Sequence, residues 1–205
     1  MHPRQVWSLS RPSLPAVRRH LDAQRGLPFT YPDVGATRVG HAPAGFDHDR
    51  NRVRLGAGEA VFIAACAALR GWRHFPAPLA QIEPAGIPVV AGELAGVVIR
   101  AVGLWWLNAA RIVYVVDEPR RFGFAYGTVP GHVERGEERF CVEWLDDDSV
   151  WYAIDAFSRP RYWMVGLARP LARQLQRRFV RLSKAAMLRA VDPVQHDRSA
   201  GSARG

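Results

Sequence analysis

The chain has 205 residues, 28 Lys+Arg against 19 Asp+Glu, and a net charge of +9; 48% of its residues are hydrophobic and 23% charged. That composition excludes a wholly disordered chain, a collagen-like fibre and a coiled-coil rod, and its length suits one domain. Lys184 is the only lysine, so the excess charge is carried by arginine.

Residues 1–26 read as a poorly ordered or short helical N-terminal extension. Val17 to Arg25 can form a short helix that stops at Gly26 and Pro28. The stretch Phe29 to Phe46 reads as extended chain and turns. The first clear element is a helix at about 57–71, with Val61, Phe62, Ala65, Leu69 and Trp72 on one face and Gly71 as its stop. From Phe75 to Phe157 the apolar period changes to two. Strands are expected at Leu79–Glu83, Ile87–Leu94, Val97–Leu107, Arg111–Val116, Phe122–Thr128, Glu138–Trp144 and Val150–Phe157. Asn108-Ala109-Ala110 and a Gly-rich loop from Val129 to Glu137 fall among the links. Short links without helices mean antiparallel neighbours.

A long helix follows, with Trp163, Leu167, Leu171, Leu175, Phe179, Leu182, Ala186 and Ala190 on one stripe; Pro170 should start or kink it. Residues 192–205 read as a disordered tail, leaving 27–191 as a single domain. The fold class is therefore α+β: a curved antiparallel sheet of six to seven strands gripping a long C-terminal helix, the helix-grip layout. That layout commonly leaves a cavity between sheet and helix.

Some segments carry a resemblance. Arg54-Leu55-Gly56-Ala57-Gly58-Glu59-Ala60-Val61-Phe62, Tyr126-Gly127-Thr128-Val129-Pro130-Gly131-His132-Val133-Glu134-Arg135-Gly136-Glu137-Glu138, and Asp155-Ala156-Phe157-Ser158-Arg159-Pro160 resemble DUF1990, a family of unknown function found in bacteria and plants. The resemblance covers roughly residues 27–190. It implies a fold related to birch-pollen-allergen and START-like proteins, whose wider group includes carriers of apolar ligands, aromatic cyclases and hydrolases. It implies no catalytic residue and no cofactor.

If Tyr126 pairs with Glu138, then Phe124 pairs with Phe140 and Phe122 with Val142, all on the more apolar and hence inward face. Tyr126, Glu138 and His132 then gather at one rim, able to hold a ligand's polar end or to move a proton. The bland alternative is that His132 and the glutamates only tie down backbone amides. In the next hairpin, one register brings Asp155 inward as a semi-buried acid; the other brings in Val150, Tyr152, Ile154 and Ala156 and leaves Asp155 an ordinary solvated carboxylate. The second is favoured, because its face holds no charge. Trp105 and Trp106 lie on opposite faces of their strand, with Trp105 taken as the ligand-binding candidate.

His41, Asp47, His48 and Asp49 come nearest to a metal-ligand spacing, but in a segment read as a solvated loop; no metal is expected. Gly56-Ala57-Gly58 lacks the lysine or third glycine of a nucleotide motif. Cys66 and Cys141 read as small core residues in a reducing cytoplasm. The longest apolar stretch, Leu94 to Leu107, is about 14 residues and interrupted by Arg100, too short to span a bilayer. From Ser158 to Ala190 there are nine cations and no Asp or Glu, so the rest of the chain balances at 19 to 19. Arg173, Arg177 and Arg181 are the candidates for meeting an anionic partner, a nucleic acid or an anionic membrane surface. The leading expectation is a cytoplasmic protein holding a small, largely apolar ligand, with a hydrolase- or cyclase-type enzyme as its rival.

Overall fold

In the computed structural model, residues 6–160 and 169–202 are described, with side chains described through Asp192. Trp163 and Leu167, expected on the C-terminal helical stripe, lie outside them. In chain order the elements are β1 (Trp7–Ser8), α1 (Leu14–Asp22), a 3-10 turn (Ala36–Val39), β2 (Asp47–Ala57), α2 (Glu59–Arg70), β3 (Ala80–Glu83), β4 (Leu94–Ala101), β5 (Leu104–Glu118), β6 (Arg121–Thr128), β7 (Glu134–Trp144), β8 (Ser149–Pro160) and α3 (Arg169–Ser202). The strands make one antiparallel sheet in the order β2-β8-β7-β6-β5-β4-β3, with β1 added to β5 where β6 does not reach.

Each helix has a local reason to start where it does. Ser13 caps α1, its side chain accepting from the Ala16 amide, and a proline stands in the first turn where no amide is needed. Helix α2 starts after Gly58, whose φ of +87° takes the chain round from the end of β2, and Gly71 ends it. Helix α3 lies across the concave face and packs on α2, β2 and β8. Met187 and Val191 on α3 are fully buried, each worth roughly 1.5–3 kcal/mol by area. The Tyr152 hydroxyl meets the Ser183 hydroxyl at 2.9 Å, which ties α3 to β8. The backbone of α3 stays helical through Ser202. Val191 is the last buried side chain of α3 among the described residues.

The main core fills the concave face, where Phe122, Phe124, Phe140, Val142, Val150, Tyr152 and Ile154 meet α2 and α3. Cys66 and Cys141 are buried and unbridged. Burial pushes each thiol up to about 12.

The pairing Tyr126↔Glu138, Phe124↔Phe140 and Phe122↔Val142 is as the alternation implies. The next hairpin takes the favoured register, with Trp144 opposite Val150 and with Tyr152 and Ile154 in the core.

Four sequence expectations need correction. Ile87–Leu94 is not a strand; β4 begins only at Leu94. Val97–Leu107 is not one strand either, because the chain reverses at Val102-Gly103, with both φ angles positive. Asn108-Ala109-Ala110, read as a link, lies inside β5, the longest strand, where small side chains sit buried. Finally, Asp47–Ala57 is an edge strand and not a loop. Its alternation is polar on both faces at its start, so no apolar period announces it.

The N-terminal quarter covers the convex face. Val17 and Leu21 of α1 pack on Val98, Leu107 and Ala109. Tyr31 and Ala36 pack on Phe157. The carboxylate of Glu137 binds this cover to the sheet, accepting from the Tyr31 hydroxyl (2.7 Å), the Gly35 amide (2.7 Å), the Thr37 amide (3.0 Å) and the Thr37 hydroxyl. Glu137 is 2% exposed.

Candidate functional site

Antiparallel pairing sets residues of different strands side by side on one face. Asp49 of β2 pairs with Ala156 of β8, Ala156 with Glu138 of β7, and Glu138 with Tyr126 of β6. This row crosses the concave face with a small residue between two acids. Glu134, four residues before Glu138, points the same way. Glu137 points the opposite way, so two adjacent glutamates have unrelated tasks.

The Tyr126 hydroxyl donates to Glu138 Oε2 at 2.6 Å. Burial pushes the Glu138 carboxyl up to about 7, the Tyr126 bond pulls it down, and the neighbouring Glu134 and Asp49 charges push it up again. Burial and Glu138 together push the Tyr126 phenol well above its ordinary value. Burial also raises the Glu134 carboxyl, against a bond from Gln176 Nε2 at 3.1 Å. Gln176 Nε2 further reaches Ser158 Oγ at 3.2 Å. Arg173 grips Asp49 with both terminal guanidinium nitrogens, Nη2 to Oδ1 at 3.0 Å and Nη1 to Oδ2. Helix α3 is thereby fixed to the sheet by polar contacts at one end and by Ser183 and Met187 further on.

Behind this cluster the sheet and α3 enclose a cavity of about 1060 Å³. Tyr126, Glu134, Glu138, Asp49 and His132 border it together with apolar residues including Val97, Ile99, Trp106, Leu175 and Phe179. Tyr126, Glu138 and His132, expected at one rim, therefore share one wall. His132 Nδ1 accepts from the Glu134 amide at 3.0 Å, so this nitrogen is unprotonated and serves the loop backbone. The same loop is held by Gln24, whose side-chain oxygen accepts from the Gly131 amide at 2.9 Å, and by Asn108, which accepts from the Val133 amide at 3.2 Å. A Cβ on Gly131 would stand 2.7 Å from His20 Nε2, which is why glycine occupies that position.

Other sequence candidates lie elsewhere. Phe124 and Phe140 are fully buried beneath the cavity, packed with Trp72, His74 and Phe75, and do not border it. Trp105 faces the convex side, under Arg11 and Arg100. Its neighbour Trp106 borders the cavity instead. Asp155 faces the convex side too, yet it is 4% exposed and not solvated. His48 Nε2 lies 2.7 Å from it, with Arg50 at 3.6 Å and Arg139 at 3.7 Å. The cover of residues 30–50 buries it, and that cover leaves no periodic trace in the sequence. His48 and Asp49, weighed for metal, point to opposite faces of β2. Arg173 is engaged with Asp49, while Arg177 and Arg181 stand exposed at the cavity edge. Asp49, Glu134 and Gln176 were not foreseen at the site, and Ser158 reads in sequence as the nearby hydroxyl that ends its strand. The alternation Asp47, Asp49, Asn51, Val53, Leu55 against His48, Arg50, Arg52, Arg54 is the signal that could have found Asp49.

Among known proteins, the family model described as a domain of unknown function, DUF1990, matches residues 30–186. A UPF0548 protein of Dictyostelium discoideum is 33% identical over 214 residues, covering 94% of this chain and 99% of the relative. A UPF0548 protein of Deinococcus radiodurans is 36% identical over 193 residues, covering 89% of this chain and 98% of the relative. Two solved structures share the fold at low identity. The Zhui aromatase/cyclase of Streptomyces sp. R1128 has a TM-score of 0.50 at 14% identity, covering 72% of this chain and 94% of that one. A protein of Thermus thermophilus has a TM-score of 0.50 at 16% identity, covering 72% of this chain and 99% of that one. With its family match extending from the N-terminal cover to the middle of α3, and two relatives aligned along nearly their whole length, this helix-grip chain belongs to the DUF1990 (UPF0548) family.

Proposed function

We propose that this protein binds a small, largely apolar ligand in the cavity between the sheet and α3, within a reducing cytoplasm. The cavity itself carries the reading. At about 1060 Å³ it reaches the upper end of ligand pockets, roughly 300–1,000 Å³, and it has their usual make-up of apolar walls and a few convergent polar groups. Tyr126, Glu138, Glu134 and Gln176 supply the polar end. A fluorescence titration with the neutral probe N-phenyl-1-naphthylamine tests this. The wild-type chain should bind it at micromolar concentrations. Ala156→Trp, which fills the gap between Asp49 and Glu138, should weaken binding by about tenfold or more. No enhancement with the wild type, or equal binding by Ala156→Trp, overturns the reading.

One observation favours a second reading. A carboxyl held near 7 beside a phenol can give and take protons at ordinary pH, as a hydrolase- or cyclase-type enzyme requires; the aromatase/cyclase name of one fold neighbour accords with it. The raised group has a measurable consequence. Its folded value, about 7, exceeds its ordinary 4.5, so its contribution to stability is complete below 4.5 and fades as pH rises through 7. The wild type should lose about 1 kcal/mol between pH 6 and pH 8, allowing for water reaching this half-buried group. Glu138→Gln should not show that loss in urea unfolding. Equal slopes for the two proteins would mean that Glu138 titrates normally, and the enzyme reading would lose its support.

A further inference from the structure

The mouth of the cavity carries apolar side chains that the fold does not bury. β1 and the β4–β5 turn form one lip, and the start of α3 forms the other. Trp7, Val102 and Leu171 border the opening and are 45%, 68% and 40% exposed. Leu9 follows β1, whose Ser8 pairs with Trp105, and is 82% exposed beside the same turn. Single exposed apolar residues are ordinary; three at one opening, with Leu9 next along the chain from β1, are a patch.

Val102 adds an independent observation. Ala101 pairs with Leu104, leaving Val102-Gly103 as a two-residue turn with φ of +54° and +74°. Those angles belong to a type I′ turn, for which Asn-Gly is preferred. A β-branched residue there is strained, and this one gains no burial in return. Folding does not explain valine at this position, and such outliers cluster where a chain meets its ligand or partner.

Charge indicates what the lips meet. The segments that build them, Val6 to Leu21, Leu94 to Val116 and Pro170 to Val191, contain no Asp or Glu. Arg100 on β4 and Arg177 and Arg181 on α3 stand exposed in these segments. An apolar rim flanked by exposed cations matches an anionic bilayer, where apolar side chains enter the headgroup boundary and arginines meet lipid phosphates. A nucleic acid would satisfy the arginines but leave Leu9 and Val102 with nothing to bury against.

We propose that the β1 and β4–β5 lip, with Leu171 and the exposed arginines of α3, docks the cavity mouth on an anionic phospholipid surface. An apolar ligand then passes between bilayer and cavity without crossing water. That last step rests on the ligand-binding reading; the docking itself rests only on the lips.

Vesicle co-sedimentation of the full chain tests the docking. One vesicle preparation is one part phosphatidylglycerol to two of phosphatidylcholine, and the other is phosphatidylcholine alone. The wild type should sediment with the anionic vesicles about tenfold more strongly than with the neutral ones, and salt should weaken it. Leu9→Ser/Val102→Asn should lose about tenfold in partition. Its thermal midpoint should stay level or rise, because asparagine relieves the turn. A purely structural role for Val102 would not produce that opposition. The proposal is overturned if the double variant partitions like the wild type, or if duplex DNA competes fully for the protein and binds the variant equally well. It is also overturned if neither vesicle binds while N-phenyl-1-naphthylamine still does, an outcome that leaves the cavity reading standing.

Discussion

Glu137→Ala should lower the unfolding free energy by about 3–5 kcal/mol, a large share of the 5–15 kcal/mol typical of a domain. Four donors converge on this carboxylate: the Tyr31 hydroxyl, the Gly35 and Thr37 amides and the Thr37 hydroxyl. Truncation leaves them facing an apolar gap, and an unsatisfied buried donor costs about 1–3 kcal/mol. One of the four has a second partner, since the Thr37 hydroxyl also meets the Tyr114 hydroxyl at 2.8 Å. The sum therefore falls below four full penalties. Glu137→Gln keeps one acceptor oxygen but brings an NH2 group up to donors, so it should lose less than alanine and more than about 1 kcal/mol. Urea unfolding gives the loss. Limited proteolysis should show residues 30–40 opening first, since this carboxylate holds them to the sheet. A loss below about 1 kcal/mol for the alanine variant would mean that the cover is held by Tyr31 and Phe157 packing alone.

The second large effect comes from His74. Its ring is fully buried among Trp72, Phe75, Phe124, Phe140 and Tyr152, and neither ring nitrogen has a hydrogen-bond partner among the described residues. Burial alone lowers it to about 3, from an ordinary 6.5. The folded chain therefore keeps the ring neutral, while the unfolded chain protonates it below 6.5. Stability is unaffected above 6.5 and falls as pH drops from 6.5 towards 3. The fall is about 2 kcal/mol between pH 7 and pH 5, at 1.36 kcal/mol per unit. His74→Phe should flatten this acid limb. It should also gain about 1–2 kcal/mol at pH 7 by removing two unsatisfied polar atoms from an aromatic cage, less whatever the slightly larger ring costs in packing. An unchanged acid slope in the variant would show that His74 is not the group responsible.

The sheet was legible wherever one face is apolar. Phe122, Phe124, Tyr126, Phe140 and Val142 alternate strongly enough to set the β6–β7 register, and the absence of charge on Val150, Tyr152, Ile154 and Ala156 settles the next hairpin. Illegible elements lacked that contrast. β2 begins with Asp47, His48, Asp49 and Arg50, so neither face starts apolar in sequence although one lines a cavity. The β4–β5 turn hides because valine occupies a position that favours asparagine. Asp155 had the right face but the wrong surroundings, since its burial depends on His48, Arg139 and a cover folded from far along the chain. The site followed the same rule: Tyr126 and Glu138 could be paired from one hairpin. Gln176 and Arg173 could not, because they join the site only when α3 crosses the sheet, and Asp49 arrives through the pairing of β2 with β8 from far along the chain.

That crossing is what creates the cavity, and occupancy of the cavity is the central claim. Native mass spectrometry of the chain with N-phenyl-1-naphthylamine measures it directly. A single adduct should form on the wild type and on Phe124→Leu, which lies beneath the cavity wall, and should be lost from Ala156→Trp. An adduct retained by Ala156→Trp, or several adducts without a defined number, would place the probe on the surface and contradict the account.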